Sequence, residues 1–378
     1  MPDVVALLEY PTLNGGERSL LSSIRVLKET GLTFSAIAPR EGPLIEALLQ
    51  NEIQHVPFSM YDEHGTRHPL RRIRHELQNV LESLNPCLLH ANSLSASRIA
   101  GPVAQSLGLK SIGHLRDIVR VSRQAIVDLN CNTRLLAVSC ATLHYHQAAG
   151  LAPAKSTVVY NGVDTSEFYP AKRTGFLHQE IGLQPSCRLI GSIGQISIRK
   201  GLDVALDAFC QFASEQSDSH LLIIGQRSSS KQETIELEQQ LRQRAKTTPM
   251  RGRVHFLGWR SDICRILPEL SILLHSARQE PLGRVLLEAG SCGVPIVATD
   301  VGGTGEIFPH ATEAMLVRPN DSNAIASCLT RIYSDAQFAS GLGRCARRRI
   351  ETHFHFRHAA SELANQYRLT ASFQQTPS

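Results

Sequence analysis

Short apolar runs bounded by turn residues recur along the chain, and most are followed by a stretch with helical spacing of its apolar positions. In the first half these runs fall at 4–8, 34–38, 53–56, 87–90, 111–114, 135–138 and 157–160; in the second half at 188–193, 221–224, 254–257, 271–274 and 295–298. They lack the in-and-out alternation of a half-exposed strand, so they predict strands covered on both faces. Strands alternating with helices predict doubly wound parallel sheets, an α/β fold. Ligands of such sheets collect beyond the carboxyl ends of the strands, so the polar residues following each run are where chemistry is expected.

The densest stretch of this kind is 271–306, in which a strand, a helix over 283–291 and a second strand follow one another. His275, Ser276, Arg278, Gln279 and Glu280 fall at the first strand's end, and Pro281, Leu282 and Gly283 lead into the helix start. Free backbone N–H groups and the positive end of the helix dipole favour an anion there, such as a diphosphate. Eight residues of continuous helix turn about 800°, so Glu280 and Glu288 can act on one ligand only if Glu280 lies in the loop. A carboxylate accepts two hydrogen bonds and suits a pair of sugar hydroxyls, so two of them flanking a phosphate site suggest a nucleotide sugar. The competing reading makes Glu280 a complement to the helix dipole and Glu288 a solvated helix residue. Gly302, Gly303 and Gly305 in the next loop favour a site; Glu306 is either part of it or an early-helix acid.

Other strand ends carry further candidates. Gly15 and Gly16 follow the first strand, where a glycine pair either admits a substrate to backbone N–H groups or makes a tight turn; the dinucleotide fingerprint, with its third glycine and ribose-binding acid, is missing. Gly194, Gln195, Arg199, Lys200 and Gly201 follow the strand at 188–193, and the two cations suit a diphosphate or form a solvated pair. Gly225 ends the strand at 221–224 and admits a nucleotide to the backbone. Trp259, the only tryptophan, either stacks on a base or plugs its domain. His114 is a packing residue or a ligand contact, with Arg116 and Asp117 as a local ion pair. Ser93, after His90 and Asn92, and Ser139 are expected to cap helices.

Composition narrows the class. A chain of 378 residues, 42% hydrophobic, predicts two or three domains with ordinary cores. Nine scattered cysteines without a C-x-x-C pair argue against a disulfide framework or zinc site and for a reducing cytoplasm. The N-terminus lacks a basic leader, and no apolar run approaches the roughly 20 residues that span a bilayer. The expectation is a cytoplasmic protein, free or peripheral to the membrane. Net charge is +5, with Arg67, Arg71, Arg72 and Arg74 clustered; this patch either holds anionic lipid headgroups or acidic acceptors or is a solvated helix face. The basic, aromatic stretch 344–358 has the composition a motif scan assigns to nucleic acid, but no nucleic-acid partner is expected.

The run from Glu280 through Pro281, Leu282, Gly283 and Val285 to Glu288, followed by Gly293 to Asp300 and by Gly302 to Glu306, resembles family 4 of the retaining glycosyltransferases, Glu-x7-Glu signature included. The resemblance implies the GT-B fold: two facing Rossmann-like, doubly wound parallel-sheet domains with a cleft between them. It places an acceptor domain at 1–165, a linker at 166–186, a nucleotide-sugar domain at 187–352 and a C-terminal helix at about 353–378 that packs back on the first domain. It also implies a nucleotide-sugar donor, with Glu280 on sugar hydroxyls, the backbone of Leu282, Gly283 and Val285 near the diphosphate, Glu288 on the ribose and Gly225 by the nucleotide. Lys200 neutralises the diphosphate, as does Arg199, although the family's arginine often stands where this chain has Gln195. Gly15, Gly16 and His114 match positions facing the donor, His114 near its sugar. The acceptor is a glycan, a lipid-linked glycan or a small molecule. No cofactor or metal is expected, since no DxD-like acidic pair stands near the diphosphate. A nucleotide-sugar epimerase or hydrolase and a non-catalytic binding protein are the alternatives.

Overall fold

The computed structural model describes residues 3–227 and 231–371. The chain divides into two units, one formed by everything up to Gly162 together with the segment from Phe356, the other by Val163–His355.

The first unit holds seven strands: β1 (Val4–Leu7), β2 (Phe34–Ala38), β3 (Gln54–Pro57), β4 (Leu88–Ala91), β5 (Lys110–Leu115), β6 (Arg134–Ala137) and β7 (Ser156–Val158). They form one parallel sheet in the order β3-β2-β1-β4-β5-β6-β7. Strand order reverses between β1 and β4, which opens a crevice at their carboxyl ends. The helices are α1 (Gly15–Lys28), α2 (Pro43–Gln50), α3 (Leu70–Leu84), α4 (Leu94–Ser106), α5 (Arg123–Asn130) and α6 (Cys140–Ala148). Helix α1 starts because the Glu17 side chain reaches back to accept from the Asn14 N–H at 3.1 Å. Its Leu20, Ile24 and Leu27 recur at helical spacing and are buried against one sheet face. On the opposite face α3 buries Ile73, Leu77 and Leu81 beside Ile99 and Val103 of α4. Ser93 and Ser139 cap α4 and α6, as expected, by accepting from the backbone N–H groups of Ala96 and Thr142.

The second unit holds β8 (Arg188–Ile193), β9 (Ser219–Ile224), β10 (Val254–Gly258), β11 (Ile272–His275), β12 (Ile296–Thr299) and β13 (Met315–Val317), all parallel, in the order β10-β9-β8-β11-β12-β13. Its helices are α7 (Phe176–Ile181), α8 (Leu202–Glu215), α9 (Gln232–Arg244), α10 (Ile263–Ile266), α11 (Arg284–Ser291), α12 (Thr304–Ile307), α13 (Ser322–Ser334) and α14 (Ala336–His353). The core of α8, α13 and the sheet is built on Phe209, Phe212, Ile325 and Leu329. Strands expected at 271–274 and 295–298 each lie one residue later, because His275 and Thr299 are buried polar strand residues that an apolar run excludes. Strand β13 was not expected; its three residues are too few to make a periodic signal.

One expectation about organisation needs correction, and the helix expected at the C-terminus is found in the first unit. The segment 166–186 is not a polar linker. It belongs to the second unit and contains α7, whose start is held by Glu269, 2% exposed, which accepts from Thr174 N at 2.6 Å, Thr174 Oγ1 at 2.7 Å and Gly175 N at 3.0 Å. The C-terminal helix α15 runs Phe356–Thr370 and packs in the first unit, where Leu363, Ala364 and Tyr367 join the α1 core; residues 372–378 of the expected helix lie outside the described residues. The basic stretch before it serves the fold: Arg347 donates to Phe168 O at 2.8 Å and Arg349 to Ile307 O at 3.0 Å.

Glu269→Ala leaves the Thr174 and Gly175 donors at the start of α7 without their acceptor. It should destabilise the second unit by about 1–3 kcal/mol. Urea unfolding measures the loss, and a midpoint equal to wild type would show that Glu269 does not anchor the segment.

Candidate functional site

In the second unit strand order reverses between β8 and β11, and the loops after these two strands carry Arg199, Lys200 and Glu280. Topology alone therefore brings these three predicted residues together. Glu280 lies in the loop before α11, as joint action with Glu288 requires, and is 6% exposed. The Lys200 ammonium donates to its Oε2, His275 Nε2 donates to the same oxygen at 3.0 Å, and Arg199 Nη1 stands 3.7 Å from Oε1. Burial opposes ionisation, but Lys200, the hydrogen bond from His275 and Arg199 outweigh it and hold the carboxyl well below the usual carboxylate range. Burial, with the Lys200 charge beside it, pushes the His275 pKa down. The neutral ring gives its Nε2 proton to the carboxylate. Arg199 also donates to Gln279 O at 3.2 Å, and Arg278 N to Arg199 O at 2.8 Å, so the two loops are stitched through backbone as well as charge.

Gly302 explains why the second glycine cluster is there. Its φ is +56°, and a Cβ at this position would stand 1.9 Å from the Glu280 carbonyl oxygen, while Gly303 N donates to that oxygen at 3.0 Å. Residues 302–303 are thus the seat of the Glu280 loop. Gly225 is bare for a like reason: a Cβ there would meet Gly194 O at 1.9 Å, so the missing side chain accommodates the β8 loop. Leu282 is buried by side chain, Gly283 precedes α11 and Val285 lies in its first turn. Glu288, one turn on, is 8% exposed and accepts from Arg284 Nε at 2.6 Å. Glu306 sits in the short helix α12. Trp259 is 61% exposed, which removes the reading that it plugs its domain.

In the first unit His114, at the end of β5, is 3% exposed and joined to the strand-end residues Arg116 and His90 and, through His90, to Tyr367, which strand patterning did not single out. Arg116 Nη2 donates to His114 Nδ1 at 3.1 Å, and His90 Nε2 stands 3.3 Å from the same atom. Tyr367 of α15 stands 2.7 Å from His90 Nδ1 through its hydroxyl. Burial, then the Arg116 charge, pushes His90 down to about 3 and His114 well below the ordinary histidine value, so both rings are neutral near pH 7. His114 Nε2 is buried and has no partner among the described residues. Leaving a buried polar group unpaired costs about 1–3 kcal/mol, so any group that accepts from this nitrogen, ligand or water, is favoured there. Arg116 further bonds Asn92 Oδ1 at 2.7 Å and Asn161 Oδ1 at 2.7 Å, and its side chain lies against Gly16, the second residue of α1. The crevice between β1 and β4 thus gathers Gly15, Gly16, Asn92 and Arg116 with His114 beside them. Two histidines in adjacent apolar strands were the available signal for His90; Tyr367, far along the chain, carried none.

The arginine patch divides. Arg67 bonds Ser95 Oγ at 2.7 Å and faces buried Glu9, and Arg74 pairs with Asp128 at 2.9 Å, while Arg71 and Arg72 are exposed on α3, Arg72 pairing with Glu76. No helix among the described residues is long and apolar enough to cross a membrane. A cavity of about 360 Å³, lined by Arg173, Arg188, Ser271 and Tyr333, lies at the amino ends of β8 and β11, opposite the Glu280 loop.

Two parallel Rossmann-like sheets, one in each unit, define the GT-B class of folds. The fold agrees with solved structures: Anabaena HepE in complex with UDP-glucose superposes with a TM-score of 0.85 at 21% identity over 97% of this chain and 99% of that one. A glycosyltransferase from Rickettsia africae gives 0.81 at 17% identity over 97% and 98%. The model of Glycosyltransferase Family 4 matches residues 13–167 and that of Glycosyl transferases group 1 matches residues 175–349. The chain belongs to glycosyltransferase family 4. Curated relatives include the D-inositol 3-phosphate glycosyltransferase of Mycolicibacterium gilvum, 29% identical over 65% of this chain and 54% of that protein. The lipopolysaccharide core biosynthesis mannosyltransferase LpsB of Rhizobium meliloti is 25% identical over 53% and 58%. The match thus spans little more than half the length of either relative.

The neutral, buried histidines set the acid stability of the protein. His90 titrates at about 3 when folded and at about 6.5 when unfolded, so the unfolded chain binds more protons and stability falls as pH drops below about 6.5. His114 and His275, also lowered, act in the same direction; the stabilisation from ionised Glu280 is present above about pH 4.3 and is lost only below it. Unfolding free energy should drop by at least about 2 kcal/mol between pH 7 and pH 5. Urea titrations at the two values measure this, and equal stability at both would show that the histidines are not held neutral.

Proposed function

We propose that the protein is a retaining glycosyltransferase that moves a sugar from a nucleotide-sugar donor, a UDP- or GDP-sugar, to a glycan, lipid-linked or small-molecule acceptor. The observation that carries the reading is the Glu280–Lys200–His275–Arg199 cluster at the β8/β11 reversal, preformed in a family 4 chain. Arg199 and Lys200 supply positive charge where negative charge grows on the departing nucleoside diphosphate, and the start of α11 adds backbone donors. These groups take the part a metal plays elsewhere. Glu280, ionised and fixed by two donors and the Arg199 charge, orients sugar hydroxyls, and Glu288 accepts from the ribose, exchanging its bond to Arg284. The bond between the anomeric carbon and the diphosphate oxygen breaks as the acceptor oxygen bonds that carbon from the same face. The acceptor's proton passes to the diphosphate. UDP-glucose, bound by HepE, heads the donors to try.

Thermal shift against UDP-, GDP- and ADP-sugars tests the donor half, because a ligand bound only by the native state raises stability by mass action. One donor should raise Tm by several degrees, and Glu288→Ala should abolish the shift; no shift with any donor removes the reading. With donor and acceptor in hand, Lys200→Met should lower kcat by about 100- to 1,000-fold. Turnover of donor without an acceptor would assign a hydrolase or epimerase instead. A lipid-linked acceptor would be met through exposed Arg71 and Arg72, and sedimentation with anionic vesicles that is unchanged in R71E/R72E removes that contact.

A further inference from the structure

Hydrogen-bonding capacity around His114 leaves a single arrangement of protons. A guanidinium carries only donors, so Arg116 Nη2, 3.1 Å from His114 Nδ1, requires a lone pair on that nitrogen. The neutral His114 ring then carries its proton on Nε2. His90 Nε2, 3.3 Å from the same lone pair, must be the protonated nitrogen of its own ring, which leaves a lone pair on His90 Nδ1. Only the Tyr367 hydroxyl, 2.7 Å away, faces that lone pair, and it donates. All three residues are buried, and Tyr367 packs edge-on against the His90 ring, which lies nearly parallel to that of His114 at 5.5 Å. The chain of bonds runs from Tyr367 through His90 to His114 and ends on the buried, unpartnered Nε2.

We infer that Tyr367 and His90 are positioning residues that, with Arg116, lock His114 in its Nε2–H tautomer, so that it meets the donor sugar as a neutral hydrogen-bond donor to a hydroxyl oxygen. The sugar contact rests on the glycosyltransferase reading; the tautomer lock does not. A histidine free to exchange tautomers would present a lone pair part of the time and would then accept the hydroxyl's proton instead of donating to its oxygen, which loses the fixed direction of the contact. The lock also sets His114 apart from a proton-transfer group: its Nδ1 is filled by two donors, and among the described residues no base stands at its Nε2.

Nitrogen-15 NMR of histidine-labelled, ligand-free protein at pH 7 reads tautomers directly. Wild type should show His114 protonated on Nε2 alone, with Nδ1 in the range of a hydrogen-bonded acceptor. Tyr367→Phe keeps the ring and removes the hydroxyl, and should return His90 to a mixture of tautomers and weaken the acceptor signature at His114 Nδ1. His90→Gln keeps an N–H near the Nε2 position and should preserve the His114 signature, whereas His90→Leu should lose it. In turnover, Tyr367→Phe should lower kcat about 5- to 10-fold with KM for the acceptor unchanged, and His90→Gln should retain more activity than His90→Leu. His114 found protonated on Nδ1 or as imidazolium, or identical spectra for wild type and Tyr367→Phe, overturns the lock. Should Tyr367→Phe fail to fold, the wild-type spectrum and the His90 pair decide it. A locked His114 in a protein that binds no nucleotide sugar would retain the tautomer and refute the function, so the two failures are distinguishable.

Discussion

An ionised carboxylate taken out of water must be compensated on the spot, and the second unit is arranged around that requirement at Glu280. Its compensation comes from two loops that are distant in sequence: Lys200 and Arg199 follow β8, while His275 ends β11 beside Glu280 itself. Only the strand order β9-β8-β11-β12 brings those loops together. The residues that seat the Glu280 carbonyl come from a third loop, after β12. A change at any of these positions leaves a buried charge partly unpaired, which is far costlier than losing a surface ion pair. The same economy gives the site its preorganisation. Charges fixed before a ligand arrives need no reorganisation when charge develops on it.

The first unit has the same reversal of strand order but resolves its buried polar groups without net negative charge. His90 and His114 are driven neutral by burial and by Arg116, whose own charge is spread over the amide oxygens of Asn92 and Asn161. The result is a directional set of hydrogen bonds, whose outcome at His114 Nε2 is fixed by donors two residues deep. Helix α15 has a part in this beyond covering α1, since it alone supplies the Tyr367 hydroxyl. The terminal segment from Phe356 is therefore a structural member of the first unit's site.

Much of this could be read from residue order, because apolar runs and strand-end polar residues are local signals. The strands of both sheets, the loop position of Glu280 and the cation pair at 199–200 all follow from patterns a few residues long. What escaped is non-local or too short. The seating of Glu280 by Gly302 is a backbone contact across a loop, and the partner of His90 lies 277 positions away. Strand β13 has three residues, and the segment 166–186 looked like a linker because its polar residues mask an anchoring acid, Glu269, that is remote in sequence. Gly225 adds a case of the same kind: the need for a glycine at that strand end comes from the backbone of Gly194, a contact that no local pattern shows.

The two polar centres differ in kind, and on the proposed glycosyltransferase reading the difference follows from what each would stabilise. A departing diphosphate is strongly anionic, so cations are useful to it, but cations crowded at a strand end repel one another unless a buried acid holds them in place. Glu280 does so, and being ionised it can also accept hydroxyls of the sugar. A sugar hydroxyl is neutral and offers both a proton and lone pairs, so a charged partner gains little specificity from it, while a neutral donor of fixed direction selects one oxygen and one orientation. Burial that would be a liability for an imidazolium is what keeps His114 in that neutral form. On that reading, strong electrostatics in one unit and directional hydrogen bonding in the other are two uses of one kind of low-dielectric crevice, found in each sheet at the same topological position and suited to the charge of the group each would receive.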